Sequence, residues 1–283
     1  MNILYSADAG LRRGLFLSAM SVAVASNEPV DFYIVSAACE FGGRKYISLT
    51  QDYARCLERT IADKNPGSTV TLINITDIFM GETPGANLAT RFTPMCMLRL
   101  YADLIEEIPE RILYLDCDVL CCRDFSDFYR IDLESYDLAG APDRYGRFFL
   151  SKPLWKHNYL NSGVLLFNMR RIRENGLFAE CRKKCSKERM FFPDQSAINA
   201  LAKKRIVPRR YNEQGKIRRD TVFKHFSTFF SFFPYFHSVT VKPWDKARLH
   251  DILGIHEFDS LIYEYEKEYE KYENRNSDIL LCR

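Results

Sequence analysis

No stretch of this chain reaches the roughly 18 consecutive apolar residues that a membrane-spanning helix needs. Charge of one sign is missing too: 40 Lys and Arg stand against 37 Asp and Glu, a net +3 at neutral pH. That balance gives no case for nucleic acid as a partner. No segment repeats, and no low-complexity linker divides the chain. The nine cysteines form no metal motif, since "CC" at Cys121–Cys122 and "CRKKC" at 181–185 lack paired histidines or a second CxxC. They read as reduced, buried small hydrophobes of a cytoplasmic protein.

What is present is an ordinary globular composition, 47% hydrophobic and 27% charged over 283 residues. That is enough for one large α/β domain, or one domain with an appendage. "RRGLFLSAMSVAVAS" mimics a secretory signal, with its twin arginine and A-x-A-like end. The strand-like "MNILYSAD" ahead of it, and the helical spacing of Leu15, Ala19, Val22 and Ser26, favour a strand, a turn and a helix over 14–26. Residues 203–219 carry eight Lys and Arg and one acid, Glu213, a patch able to attract an anionic ligand or membrane surface if it is not simply a solvated face.

Strand-like and helix-like segments alternate through the first half. "PVDFYIVSA", "STVTLINIT" and "RILYLDCDVL" read as strands; "SLTQDYARCLERTIADK" and "PMCMLRLYADLIEEI" read as helices. Such alternation predicts a mostly parallel sheet covered on both faces. Later, "YDLAGAPD" and "YLNSGVLLFNM" read as strands, and a helix is expected near 170–188. Another helix should open at Asp194, read as its N-cap. The tail "EFDSLIYEYEKEYEKYEN" reads as a surface helix with a tyrosine seam.

Within "RILYLDCDVL", an apolar run ends in Asp116 and Asp118. In an extended strand these two carboxylates point the same way, and their repulsion is relieved by a divalent cation. Hard oxygen donors suit magnesium or manganese. A solvated loop start explains an isolated Asp-x-Asp equally well.

Over about residues 2–245 the sequence resembles the retaining glycosyltransferases of family 8. The resemblance rests on "ILYLDCDVL", on Arg99 seventeen positions before Asp116, on "GAPD" with Asp143, on "YLNSGVLLFNM" with Asn161, on "PDQSAINAL" with Asp194 and Gln195, and on "VKPW" with Lys242. It implies a GT-A type, Rossmann-like α/β core over 1–225 and a C-terminal segment over 226–283 packed on it. It implies that Asp116 and Asp118 bind manganese, or magnesium, which bridges the diphosphate of a UDP-sugar. Lys242 would add positive charge at the phosphates. His225 is favoured as the third protein ligand because it ends a short apolar run, while His237 has the better spacing to Lys242. Arg99 and Asp194 would hold donor hydroxyls, Asn161 would place an amide near the transferring sugar, and Gln195 would lie closest to the anomeric carbon. Same-face attack, with the leaving phosphate as base, is the reaction the resemblance implies. Asp8 matches the uracil-binding turn, but Ala9, Gly10 and Leu11 depart from the family pattern and lack its aromatic stacking partner. His157, His250 and His256 are read as structural or solvated.

The implied partners are a UDP-hexose donor and a glycan or lipid-linked saccharide acceptor. The aromatic run "FSTFFSFFPYFHSV", 226–239, beside the basic run reads as a flap over the donor or as a peripheral membrane contact. Two rivals remain: a non-catalytic relative that binds a sugar nucleotide, and a haloacid-dehalogenase-type phosphatase, whose nucleophilic aspartate opens its domain rather than following a hundred residues.

Overall fold

A computed structural model describes residues 1–88, 94–145, 158–231, 235 and 237–281. Its centre is a seven-stranded sheet. The first strands are β1 (Asn2–Ser6), β2 (Asp31–Ser36), a hairpin of β3 (Cys39–Phe41) and β4 (Arg44–Tyr46), β5 (Thr69–Asn74), β6 (Arg111–Leu115) and β7 (Val119–Cys121). There follow β8 (Leu138–Pro142), β9 (Leu160–Asn168), β10 (Lys204–Ile206), β11 (Phe223–His225), β12 (Phe229–Ser231) and β13 (His237–Val239). The sheet order is β10-β8-β9-β6-β1-β2-β5. The β1, β2, β5 and β6 pairings are parallel, as is that of β8 with β10, while β9 runs antiparallel to both its neighbours.

Side-chain alternation sends the strands into two cores. Ile3 and Tyr5 of β1 and Leu113 and Leu115 of β6 face one of them; Leu4, Ile112 and Tyr114 face the other. The first core is covered by α1 (Arg12–Ala25) and α2 (Gln51–Lys64), the latter capped by Thr50, whose side chain accepts from the Tyr53 amide. The short helices α3 (Thr76–Gly81) and α4 (Ser126–Tyr129) follow. The second core is covered by the 3₁₀ helix Pro94–Leu104 and by α5 (Met169–Asn175), α6 (Leu177–Lys187) and α7 (Pro193–Leu201). The single helix expected near 170–188 is two, divided at Gly176 with φ 67°. The strand expected over 111–120 is also two, β6 and β7, with a turn between them.

Every residue of α1 from Gly14 to Ala23 is buried, so the segment that mimics a signal peptide is a helix apolar on all sides. One side meets the sheet. The other is covered by α2 and, from the C-terminal segment that carries α8 (Lys246–Leu253) and α9 (Asp259–Leu281), by α9. Tyr265 and Tyr269 of α9 pack on Phe16 at centroid distances of 5.9 and 5.5 Å, and the Tyr269 hydroxyl accepts from Arg12 Nε at 2.7 Å. Burying rings of this kind is worth about 1.5–3 kcal/mol each, which anchors a helix whose outer face is charged. Among the described residues no helix is long and apolar enough to cross a membrane, and all eight cysteines there are free.

Candidate active site

Asp116 and Asp118 lie just beyond the carboxyl end of β6, the place where open α/β sheets bind ligands. They sit in a turn, closed by the Val119 amide donating to the Asp116 carbonyl at 3.1 Å, and not in an extended strand. The turn, rather than strand alternation, brings the two carboxylates together. The Asp116 amide donates to the Gly163 carbonyl at 2.8 Å, which ties the turn to β9. β11 pairs antiparallel with β7 and sets His225 opposite Val119.

His225 Nε2 is therefore 3.2 Å from Asp118 Oδ1 and 3.8 Å from Asp116 Oδ2. One donor atom from each of the three residues lies within 4.8 Å of the others. The remaining atoms are already committed. Asp116 Oδ1 accepts from Arg99 and from the Tyr114 hydroxyl, both at 2.8 Å. His225 Nδ1 faces Asn212 Oδ1 at 3.2 Å, and Lys242 Nζ donates to Asp118 Oδ2 at 2.5 Å. Burial pushes the Asp118 carboxyl up, but Lys242 and His225 outweigh it and hold it well below the usual carboxylate range.

The backbone makes room for this cluster. A Cβ on Gly163 would stand 2.3 Å from His225 Cε1 and 2.9 Å from Asp116 Oδ2. The two carboxylates, the imidazole and the space kept by Gly163 fit a small divalent cation. His237, the alternative ligand, lies in β13 with its ring bonded to the Tyr235 carbonyl.

Arg99 is buried and spans the floor of the site. It donates to the Cys96 and Ser162 carbonyls at 2.9 and 2.6 Å, and its guanidinium lies 4.0 Å from the Tyr114 ring centre. Its Nε is 3.3 Å from Asp194 Oδ2, a buried oxygen that among the described residues has this ion pair and no hydrogen bond. Burial pushes the Asp194 carboxyl up in spite of Arg99. Asp194 is the second residue of α7 and not its N-cap, which is Phe192.

Asn161, the second residue of β9, begins a chain of hydrogen-bonded polar side chains. It donates to Asp143 Oδ2 at 2.8 Å and accepts from the Gly163 amide and from Asn212 at 3.0 and 2.9 Å. Gln195 accepts from the Ser162 amide at 2.8 Å, and its Nε2 reaches Asp143 Oδ2 at 3.5 Å. Asp8 follows β1, with its carboxyl pushed up by burial. Ser6, Leu11, Arg99, Asp116, Asp118 and Lys242 line one cleft.

The model of glycosyl transferase family 8 matches residues 2–248. The chain belongs to that family. This family 8 chain is 27% identical over 224 residues to the lipopolysaccharide 1,2-glucosyltransferase of Escherichia coli K12, covering 75% of this chain and 62% of that protein. It is 33% identical over 132 residues to a probable glycosyl transferase, Gly, of Streptococcus gordonii, a match of 45% of this chain and 18% of that one. The chain thus spans less than two thirds of the length of either relative. Among solved structures, the galactosyltransferase LgtC in complex with donor and acceptor sugar analogs shares the fold at TM-score 0.68, with 19% identity over 93% of this chain and 96% of that one. The bifunctional glycosyltransferase WbbM gives TM-score 0.69 at 15% identity, over 96% of this chain and 51% of that one. The family answers the phosphatase alternative, and the fold is the GT-A type expected.

Three residues that complete the site were not singled out from the sequence: Tyr114, Gly163 and Asn212. Gly163 had a readable signal, because a glycine inside a strand marks a close approach. Asn212 had none, lying in the basic run.

Proposed function

We propose that this family 8 glycosyltransferase moves a hexose, glucose or galactose, from a UDP-sugar to a glycan acceptor with retention at the anomeric carbon. The observation that carries this reading is the convergence of Asp116, Asp118 and His225 over Gly163, beside Lys242. These three residues would hold manganese or magnesium, which supplies Lewis-acid stabilisation of the charge left on UDP. Lys242 adds a cation at the same phosphates once Asp118 is engaged elsewhere. Arg99 orients Asp116 and Asp194, and Asp194 Oδ2, paired only with Arg99 among the described residues, accepts a sugar hydroxyl. Asn161 and Gln195, fixed by Asp143 and the Ser162 amide, place amides at the anomeric carbon. A variant of LgtC altered at an active-site glutamine is among the similar structures, which supports attention to Gln195. Asp8 takes the nucleoside end.

The likeness to a lipopolysaccharide glucosyltransferase supports a cell-surface polysaccharide or lipopolysaccharide-type acceptor, reached from the cytoplasmic side. We take 1–225 as the transferase core and 226–283 as the appended segment. Membrane contact through the aromatic run is part of this proposal. Phe229 and Phe230 are half-buried in β12 and Tyr235 is exposed, while Phe232 and Phe233 lie outside the described residues. The basic run is less free than its composition suggests, because Arg209 pairs at 2.7 Å with Glu213, which is buried. Replacing the four phenylalanines by polar residues should abolish binding to anionic vesicles, and unchanged binding would remove this part.

The test of the activity is a panel of nucleotide sugars, with and without manganese, on the wild type and Asp118→Ala. Manganese-dependent UDP release from one hexose donor, lost in the variant, is expected. Metal-dependent UDP binding without any transfer would favour the binding-only relative.

A further inference from the structure

The corner between α8 and α9 takes no part in the transfer site, yet it gathers two histidines and an acid. We propose that His250, His256 and Asp259 form a second cation site, with the donor set of zinc or a similar transition metal.

His250 Nε2 lies 2.6 Å from Asp259 Oδ1, and His256 Nδ1 lies 3.6 Å from Asp259 Oδ2. The imidazole rings are 4.1 Å apart between centroids and tilted by 35°. One donor atom from each residue falls within 4.8 Å of the other two. Ligand atoms around tetrahedral zinc, at bonds of about 2.0–2.1 Å, stand roughly 3.4 Å from one another. An ion would therefore open the shortest separation and close the widest by side-chain rotation alone.

The backbone that carries these ligands is fixed. Gly254 closes α8 in the left-handed region, at φ 61°, and the Ile255 amide returns to the Leu249 carbonyl at 3.3 Å. Ile255 and Phe258 are buried on either side of His256, and the Asp259 amide donates to the His256 carbonyl at 3.1 Å. The three donors are thus set by a cap and two apolar anchors.

The His250–Asp259 hydrogen bond by itself explains two of the three residues as a tie between helices. It does not explain His256, whose side chain is 64% exposed and whose Nδ1 is too far from the carboxylate to bond it. A shared cation accounts for its position over His250 and the acid. Two imidazoles and one carboxylate favour zinc, copper or nickel over magnesium or manganese. The exposed side of His256 leaves an entry path and a place for water. A cation here would fasten α9, with its tyrosine seam on α1, to α8.

Calorimetric titration of zinc chloride into the full chain tests this, in the Asp118→Ala background so that the transfer site contributes nothing. One zinc per chain at micromolar affinity is expected. It should weaken about tenfold or more when His256→Ala or His250→Ala is added. Zinc should also raise the Tm of Asp118→Ala and not that of the double variants. Because His256 is exposed, its removal leaves the fold intact, and His256→Ala alone should keep wild-type manganese-dependent UDP release. Zinc binding unchanged in the double variants, or no saturable binding in Asp118→Ala, would overturn the site, whatever the outcome for transfer.

Discussion

The molecule holds two clusters of histidine and aspartate that differ in how the chain builds them. Asp116, Asp118 and His225 are brought together across more than a hundred residues by the β7–β11 pairing and by the bond from Asp116 to β9. Their charges are largely buried, so each needs a fixed partner: Arg99 and Tyr114 for Asp116, Lys242 for Asp118, Asn212 for His225. His250, His256 and Asp259 lie within ten residues, half-buried except for the exposed His256, and rest on one helix cap and two apolar anchors. The first cluster thus depends on the whole sheet and is rigid. The second depends on one loop, and its loss leaves the rest of the molecule intact.

The same substitution at each cluster separates them most widely. Asp116→Asn removes a charge on which Arg99 and His225 both rely, and should lower transfer at least about a hundredfold and abolish manganese binding as read by electron paramagnetic resonance. Asp259→Asn should leave both unchanged. Equal losses would mean that the two clusters are coupled. Next in size is Gly163→Ala. Its Cβ would meet His225 Cε1 at 2.3 Å, so the imidazole must move, at a cost of about 1–3 kcal/mol in packing strain. Manganese affinity should fall while circular dichroism stays native; native affinity would show that the space over Gly163 is not the cation's.

Tyr114→Phe is a finer cut. It keeps the ring under Arg99 and removes only the hydroxyl from Asp116 Oδ1, a hydrogen bond to a charged group worth about 1.5–3 kcal/mol. With Arg99 still bound to the same oxygen, manganese affinity should drop severalfold and the Tm little. A fall in Tm with unchanged affinity would make Tyr114 a packing residue only.

The clusters also show what a sequence discloses. The parallel half of the sheet was legible because strand-like and helix-like segments alternate from Asn2 to Leu115, and the central strands β1 and β6 are apolar on both faces. The Asp116–Asp118 pair was legible as chemistry but not as geometry: alternation along a strand predicted its common direction, whereas a turn between β6 and β7 supplies it. His225 stood out as a strand end, and β11 is where it ends. Asp194 resembled an N-cap, since an acid at a helix start usually is one; burial and the approach of Arg99 turn it inward instead. Asn212 could not be read, because only the folded return of 209–225 along β7 puts it beside His225. The local cluster was visible throughout as His-x₅-His-x₂-Asp, and its two histidines were read as structural or solvated, because spacing alone does not report that Ile255 and Phe258 pin the loop.

The smallest change sharpens that last point. Gly254 holds φ at 61°, a conformation that costs a residue with a Cβ on the order of 1 kcal/mol. Among the described residues, its chain neighbours aside, no atom lies within 4 Å of where that Cβ would stand, so Gly254→Ala tests backbone strain without a clash. The Tm should fall by a few degrees at most. The strain is relieved by unwinding the last turn of α8, which carries His250 away from Asp259. Zinc binding in the Asp118→Ala background should therefore weaken far more than the Tm suggests, and manganese-dependent UDP release in the otherwise wild-type chain should not change. If zinc affinity survives the substitution, the loop between the helices is not what sets the ligands, and the contrast between a site built by the sheet and a site built by one cap fails.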